Sequence, residues 1–106
     1  MGNRISVRFT NKNDASPFLF SHWGGEEFLQ SAHDYVKDLC EWASAQRSNT
    51  FEPLGRMEPG IVMIDFLRWY TEGMNRVASD LYLTCKEEEG DNCDNGHYDI
   101  ELSNTN

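Results

Sequence analysis

The chain has 106 residues, 39% of them hydrophobic and 25% charged, a composition suited to one folded domain around a single core. Nine Lys and Arg stand against eighteen Asp and Glu, a formal net charge of −9 that repels phosphate backbones and argues against direct nucleic-acid binding. No apolar run approaches the roughly eighteen residues of a membrane span, and the N-terminus lacks a basic start followed by an apolar core, so a cytoplasmic protein without membrane attachment is expected.

Taken in order, Arg4–Thr10 alternates Ile5, Val7 and Phe9 with Arg4, Ser6 and Arg8, the period of a strand with one buried face. Met1-Gly2 with Ser6 matches the loose myristoylation pattern, but the strand alternation makes chance the better account of it. Asn11–Ser16 is a turn cluster, and Pro17 opens a second apolar run to Trp23, so the two runs predict a β-hairpin. Phe18, Leu19 and Phe20 are apolar on both faces, which places that strand inside a sheet. Gly24-Gly25 breaks it. Phe28, Ala32, Tyr35, Val36, Leu39, Cys40 and Ala43 then recur at helical spacing, predicting a helix from about Glu26 to Gln46. Glu26 and Glu27 suit the positive end of its dipole.

Arg47–Arg56 reads as a loop. Glu58-Pro59 opens a second helix, in which Ile61, Ile64 and Leu67, with Phe66 and Tyr70, make a broad apolar surface closed at Gly73–Asn75. A strand over Ile61–Phe66 is the alternative, and the length of the pattern favours the helix. Ser79–Cys85 and His97–Leu102 alternate as two further strands around the acidic turn Lys86–Asn95, and Ser103–Asn106 is a polar tail. The expected fold is a single α+β domain over residues 1–106 in ββααββ order. Two hairpins form a four-stranded, mainly antiparallel sheet, with both helices on one face.

Two stretches carry candidate chemistry. At Ser21-His22-Trp23-Gly24-Gly25, a strand-to-helix turn with glycines lets a ligand approach the backbone amides, His22 offers a titratable donor and Trp23 a stacking surface. The plain alternative is a tight packed turn. Glu87–Asp99 lies in a segment, Lys86–Glu101, with one positive residue against seven negative ones. Its oxygen ligands do not follow EF-hand spacing, because the twelfth position from Asp91 is Leu102. Asp65 and Arg68, three apart on an otherwise apolar helix, can pair along one face; the plain reading is an exposed ion pair, and the sharper one is Arg68 as a ligand-contacting residue at a pocket rim.

Cys40, Cys85 and Cys93 have no Cys-x-x-Cys spacing, and His22, His33 and His97 share no short spacing, so no metal or cofactor is expected. A set of Ser21, His97 and Asp99 lacks the Gly-x-Ser-x-Gly elbow of a hydrolase, and nothing supports naming an enzyme. The runs Ser-His-Trp-Gly-Gly-x-Glu-Phe (from Ser21) and Gly-Asp-Asn-x-Asp-Asn-Gly-His-Tyr (from Gly90) together resemble those of a family of small uncharacterised prokaryotic or phage proteins. The resemblance covers those two segments, brings no activity, and implies a prokaryotic cytoplasmic setting. The expected function is a non-enzymatic binding domain for a small polar or nucleotide-like ligand at Ser21, His22, Trp23, Gly24 and Gly25, with Arg68 and His97 contributing. The alternative is an acidic protein–protein interaction module, a nucleic-acid mimic or host-protein blocker, acting through Glu87–Asp99. A homo-oligomer is compatible with either.

Overall fold

A computed structural model describes residues 2–11, 14–46, 58–74 and 80–102. The chain forms β1 (Ile5–Asn11), β2 (Asp14–Ala15), β3 (Phe18–Ser21), α1 (Gly25–Gln46), α2 (Pro59–Tyr70), β4 (Leu81–Thr84) and β5 (His97–Glu101). The α+β class and the helix over Ile61–Phe66 are as expected. The predicted loop over 47–56, the tail 103–106, and Lys12, Asn13, Asn75 and Ser79 of the predicted turns and strand lie outside the described residues.

Among the described residues the strands number five rather than four. β1 pairs antiparallel with β2 at Thr10↔Ala15 and with β3 at Ile5↔Ser21, registers that differ by one residue. The extra residue falls at Ser16–Pro17, a bulge next to a proline that has no N–H for the ladder. Ser16 N–H donates to the Phe9 carbonyl at 2.9 Å, and the Ser16 hydroxyl accepts from Phe9 N–H at 3.0 Å. The additional strand, β2, thus falls within the stretch predicted as a turn, Asn11–Ser16. β3 also ends at Ser21, short of Trp23.

A second correction concerns topology. The predicted hairpin between the last two strands does not form: β4 pairs with β3, while β5 pairs parallel with β1 on its other side, from Ser6↔His97 to Thr10↔Glu101. Two antiparallel steps leave β4 pointing the same way as β5, so their connection must cross over the sheet.

One face of the sheet carries the helices. Ile5, Val7 and Phe9 with Leu19 and Ile100 meet Phe28, Ala32, Tyr35 and Leu39 of α1 and Val62, Met63 and Phe66 of α2 in one buried cluster. Phe66 is its centre, with ring centroids 5.5 Å from Phe9, 6.0 Å from Phe28 and 5.4 Å from Tyr35. Burying such a ring contributes about 2 kcal/mol of transfer free energy, before packing is counted. α2 is apolar almost all round, so it buries Val62, Met63 and Phe66 and still leaves Ile64 70% exposed.

The other face carries the crossover, and the acidic segment is a strap rather than the turn of a hairpin. A single 3-10 turn, Glu87–Glu89, follows β4, and Gly90 then lies against the Phe20 ring where any Cβ would clash. Asp91 N–H donates to the Tyr82 hydroxyl at 3.0 Å, and Phe20 stacks on Tyr82 at 5.1 Å. Arg4 pins the strap through Asp91 at 2.7 Å and Asp94 at 2.9 Å. The hydrogen bond from Arg4 holds the Asp94 carboxyl below the usual carboxylate range. For Asp91, the Cys93 backbone N–H is the largest cause of the lowering.

Candidate functional site

The Ser21–Gly25 junction is compact, and its donors point inward. One oxygen of the Asp80 carboxylate accepts from the Ser21 hydroxyl and from the backbone N–H groups of His22 and Trp23, each at 3.1 Å. Gly24 N–H donates to the Ser21 hydroxyl oxygen at 2.8 Å, and Gly25 N–H donates to the Asn3 carbonyl at 2.9 Å. An anion is therefore already bound there, supplied by the chain itself. The glycines are explained by geometry. A Cβ on Gly24 would lie 2.5 Å from the Phe28 Cβ, and Gly25 has φ +57° with Asn3 packed against it. Trp23 stays 54% exposed, with His22 edge-on to it at 4.3 Å.

His97 belongs to a different place, the strap face of the sheet. Its Nδ1 is 2.7 Å from the Ser6 hydroxyl and its Nε2 is 2.7 Å from Asp99. Asn92 donates to Ser6 at 2.9 Å, and Arg8 donates twice to Asp99 at 3.1 Å while lying 4.5 Å over the Phe18 ring. Because the carboxylate only accepts, the ring proton is assigned to Nε2 and Ser6 donates to Nδ1. Burial works to raise the Asp99 pKa, but the bonds from Arg8 and His97 prevail and lower it. The serine beside His97 is thus Ser6, not Ser21. Its ring nitrogens are used in the reverse sense of a Ser-His-Asp hydrolase, and Ser6 is fully buried beneath Asn92. This chain of bonds holds the strap to the sheet.

Arg68 stands at a third position, on the rim of a cavity of about 290 Å³ between the helices, lined by Tyr35, Asp38, Leu39, Trp42, Asp65 and Trp69 as well. The Tyr35 hydroxyl donates to Asp65 at 2.6 Å. Burial first, and then the Asp65 carboxylate, push the Tyr35 pKa up. Arg68 lies 3.8 Å from the other Asp65 oxygen and its side chain is 75% exposed. Trp42 and Trp69 present indole surface at 36% and 37% exposure, and Trp69 packs 5.5 Å from Tyr35.

The predicted site residues thus divide three ways: Ser21, His22, Trp23, Gly24 and Gly25 at the junction, Arg68 on the helix groove, and His97 under the strap. Sequence reasoning missed Asp80, whose role depends on a partner 59 positions away. Trp42 and Trp69 carried no sequence signal of a site, although Trp42 follows Asp38 by four positions and Trp69 follows Asp65 by four, the helical spacing of one shared groove. Among the described residues no group of three His, Cys, Asp or Glu side chains could hold a metal ion, and no helix is long and apolar enough to cross a membrane. No family model matches the chain, and neither curated proteins nor solved structures give a match.

Proposed function

We propose that the protein is a non-enzymatic binding module that takes a small organic cation in the α1–α2 groove. The observation that carries this reading is a ligand-sized cavity bounded by two half-buried indoles, with Asp38 exposed at its rim. Indole faces attract a cation by about 0.5–2 kcal/mol each, more as water is excluded, and a carboxylate at the rim adds charge complementarity. Two carboxylates, Asp38 and Asp65, face one guanidinium, Arg68, in a chain of net charge −9, which favours a cation over a phosphate. The junction is a poorer ligand site, because its amides already hold Asp80.

The setting we infer is a reduced, cytoplasmic, prokaryotic one, in keeping with free thiols at Cys40, Cys85 and Cys93. The test is a tryptophan-fluorescence titration against quaternary ammonium compounds, primary amines and nucleotides. The reading expects a saturable response to the cations, lost in Trp42→Ala and kept in His22→Ala. A response to nucleotides alone, or one abolished by His22→Ala, would contradict it.

A further inference from the structure

Among the described residues, the backbone pattern leaves one edge of the sheet open. Ser6 N–H donates to the Gly96 carbonyl at 3.1 Å and Leu102 N–H to the Thr10 carbonyl at 2.8 Å, so the even residues of β1 turn their backbone groups toward β5. Ile5 and Val7 then bond toward Ser21 and Leu19, which leaves Phe18 and Phe20 to bond β4 through Thr84 and Tyr82. The bond from His22 N–H to the Asp80 carbonyl at 2.9 Å keeps the same phase. By alternation, Leu81 and Leu83 direct both their N–H and C=O groups away from the sheet. Leu83 is 49% exposed on one face of this edge and Tyr82 is 41% exposed on the other.

The opposite edge is guarded. There the outward backbone belongs to His97, Asp99 and Glu101, polar residues of the kind that discourage further pairing. β4 has no such guard within the strand, and acidic residues flank it: Asp80 before it and the exposed Glu87, Glu88 and Glu89 after it. Like charge disfavours a second copy at this edge, since the chain carries −9 overall.

We infer that the β4 edge, Leu81–Thr84, accepts an extended basic peptide segment of another protein as an added strand. Backbone bonds to Leu81 and Leu83 supply the register, an apolar side chain of the segment covers Leu83, and its Lys or Arg residues meet the exposed Glu87–Glu89. The edge is separate from the α1–α2 groove, so the two readings stand or fall independently.

The probe is a synthetic peptide of alternating Lys and Val, six residues long and blocked at both ends, titrated into the full chain at low salt. A copy N-methylated on alternate residues keeps the charge and loses the donors of one edge. The expected result is slowed amide exchange at Leu81 and Leu83 on binding and at least fivefold weaker binding of the methylated copy. Leu83→Pro removes an outward N–H and is expected to weaken binding to the same degree. The methylated peptide carries the test if that variant does not fold. Equal binding of both peptides, protection confined to other strands, no binding of either, or a dimer of the chain that protects the β4 amides without peptide would each overturn the inference.

Discussion

The strand-to-helix junction and the inter-helix groove are built from similar parts, a tryptophan or two, a hydroxyl group and an aspartate, and they use them in opposite ways. At the junction, Asp80 reaches back and takes the Ser21, His22 and Trp23 donors, so the polar groups hold the chain together. In the groove, Asp65 is satisfied by Tyr35 while Asp38, Arg68 and the outer faces of Trp42 and Trp69 remain open to solvent. A residue set that looks like a ligand site from composition is a folding element when its donors are consumed internally. The difference lies in unmet capacity, not in residue type.

That contrast can be broken by substitution, starting where the effect is largest. Asp80→Ala leaves three donors without their charged acceptor and should cost about 2–3 kcal/mol in denaturant unfolding, while groove binding is unchanged. Gly25→Ala forces a side chain into a left-handed backbone packed against Asn3, and a loss of about 1–2 kcal/mol is expected from chemical melts. Tyr35→Phe removes the donor to Asp65 from the groove floor, for about 1 kcal/mol. Trp42→Ala, on the exposed wall, should shift stability by less than about 1 kcal/mol yet remove ligand binding, the reverse of Asp80→Ala.

The strap gives a pH-dependent comparison. Asp91, Asp94 and Asp99 all have pKa values lowered in the fold, so their contribution is present above the unfolded carboxylate value of about 3.9 and is lost as pH falls through the lowered folded values. Acid titration of wild type and Arg4→Met should therefore converge at low pH, with the gap between them open above about pH 4. A gap that persists in acid would mean that Arg4 acts on the strap through packing alone.

Much of the scaffold was legible because its periods are strong. Ile5, Val7 and Phe9 repeat every two residues and Phe28, Ala32, Tyr35 and Leu39 at helical spacing, and all seven are buried. Pairing partners were not legible, since β5 alternates in the same way whether it forms a hairpin with β4 or runs parallel to β1. The proline at position 17 marked a strand start but not the bulge that divides β2 from β3. Arg68 stood out because a cation on an apolar helix is unusual. Asp80 did not, because one aspartate between a helix and a strand is ordinary until its partners are known.

The three tryptophans make the central claim directly measurable, because each indole N–H gives its own signal in a proton–nitrogen correlation spectrum. In a titration with benzyltrimethylammonium, the Trp42 and Trp69 indole signals should move together and saturate, with Trp23 still. Movement of Trp23 with the His22 and Gly24 amides, and silence at Trp42 and Trp69, would return the site to the junction and contradict the account.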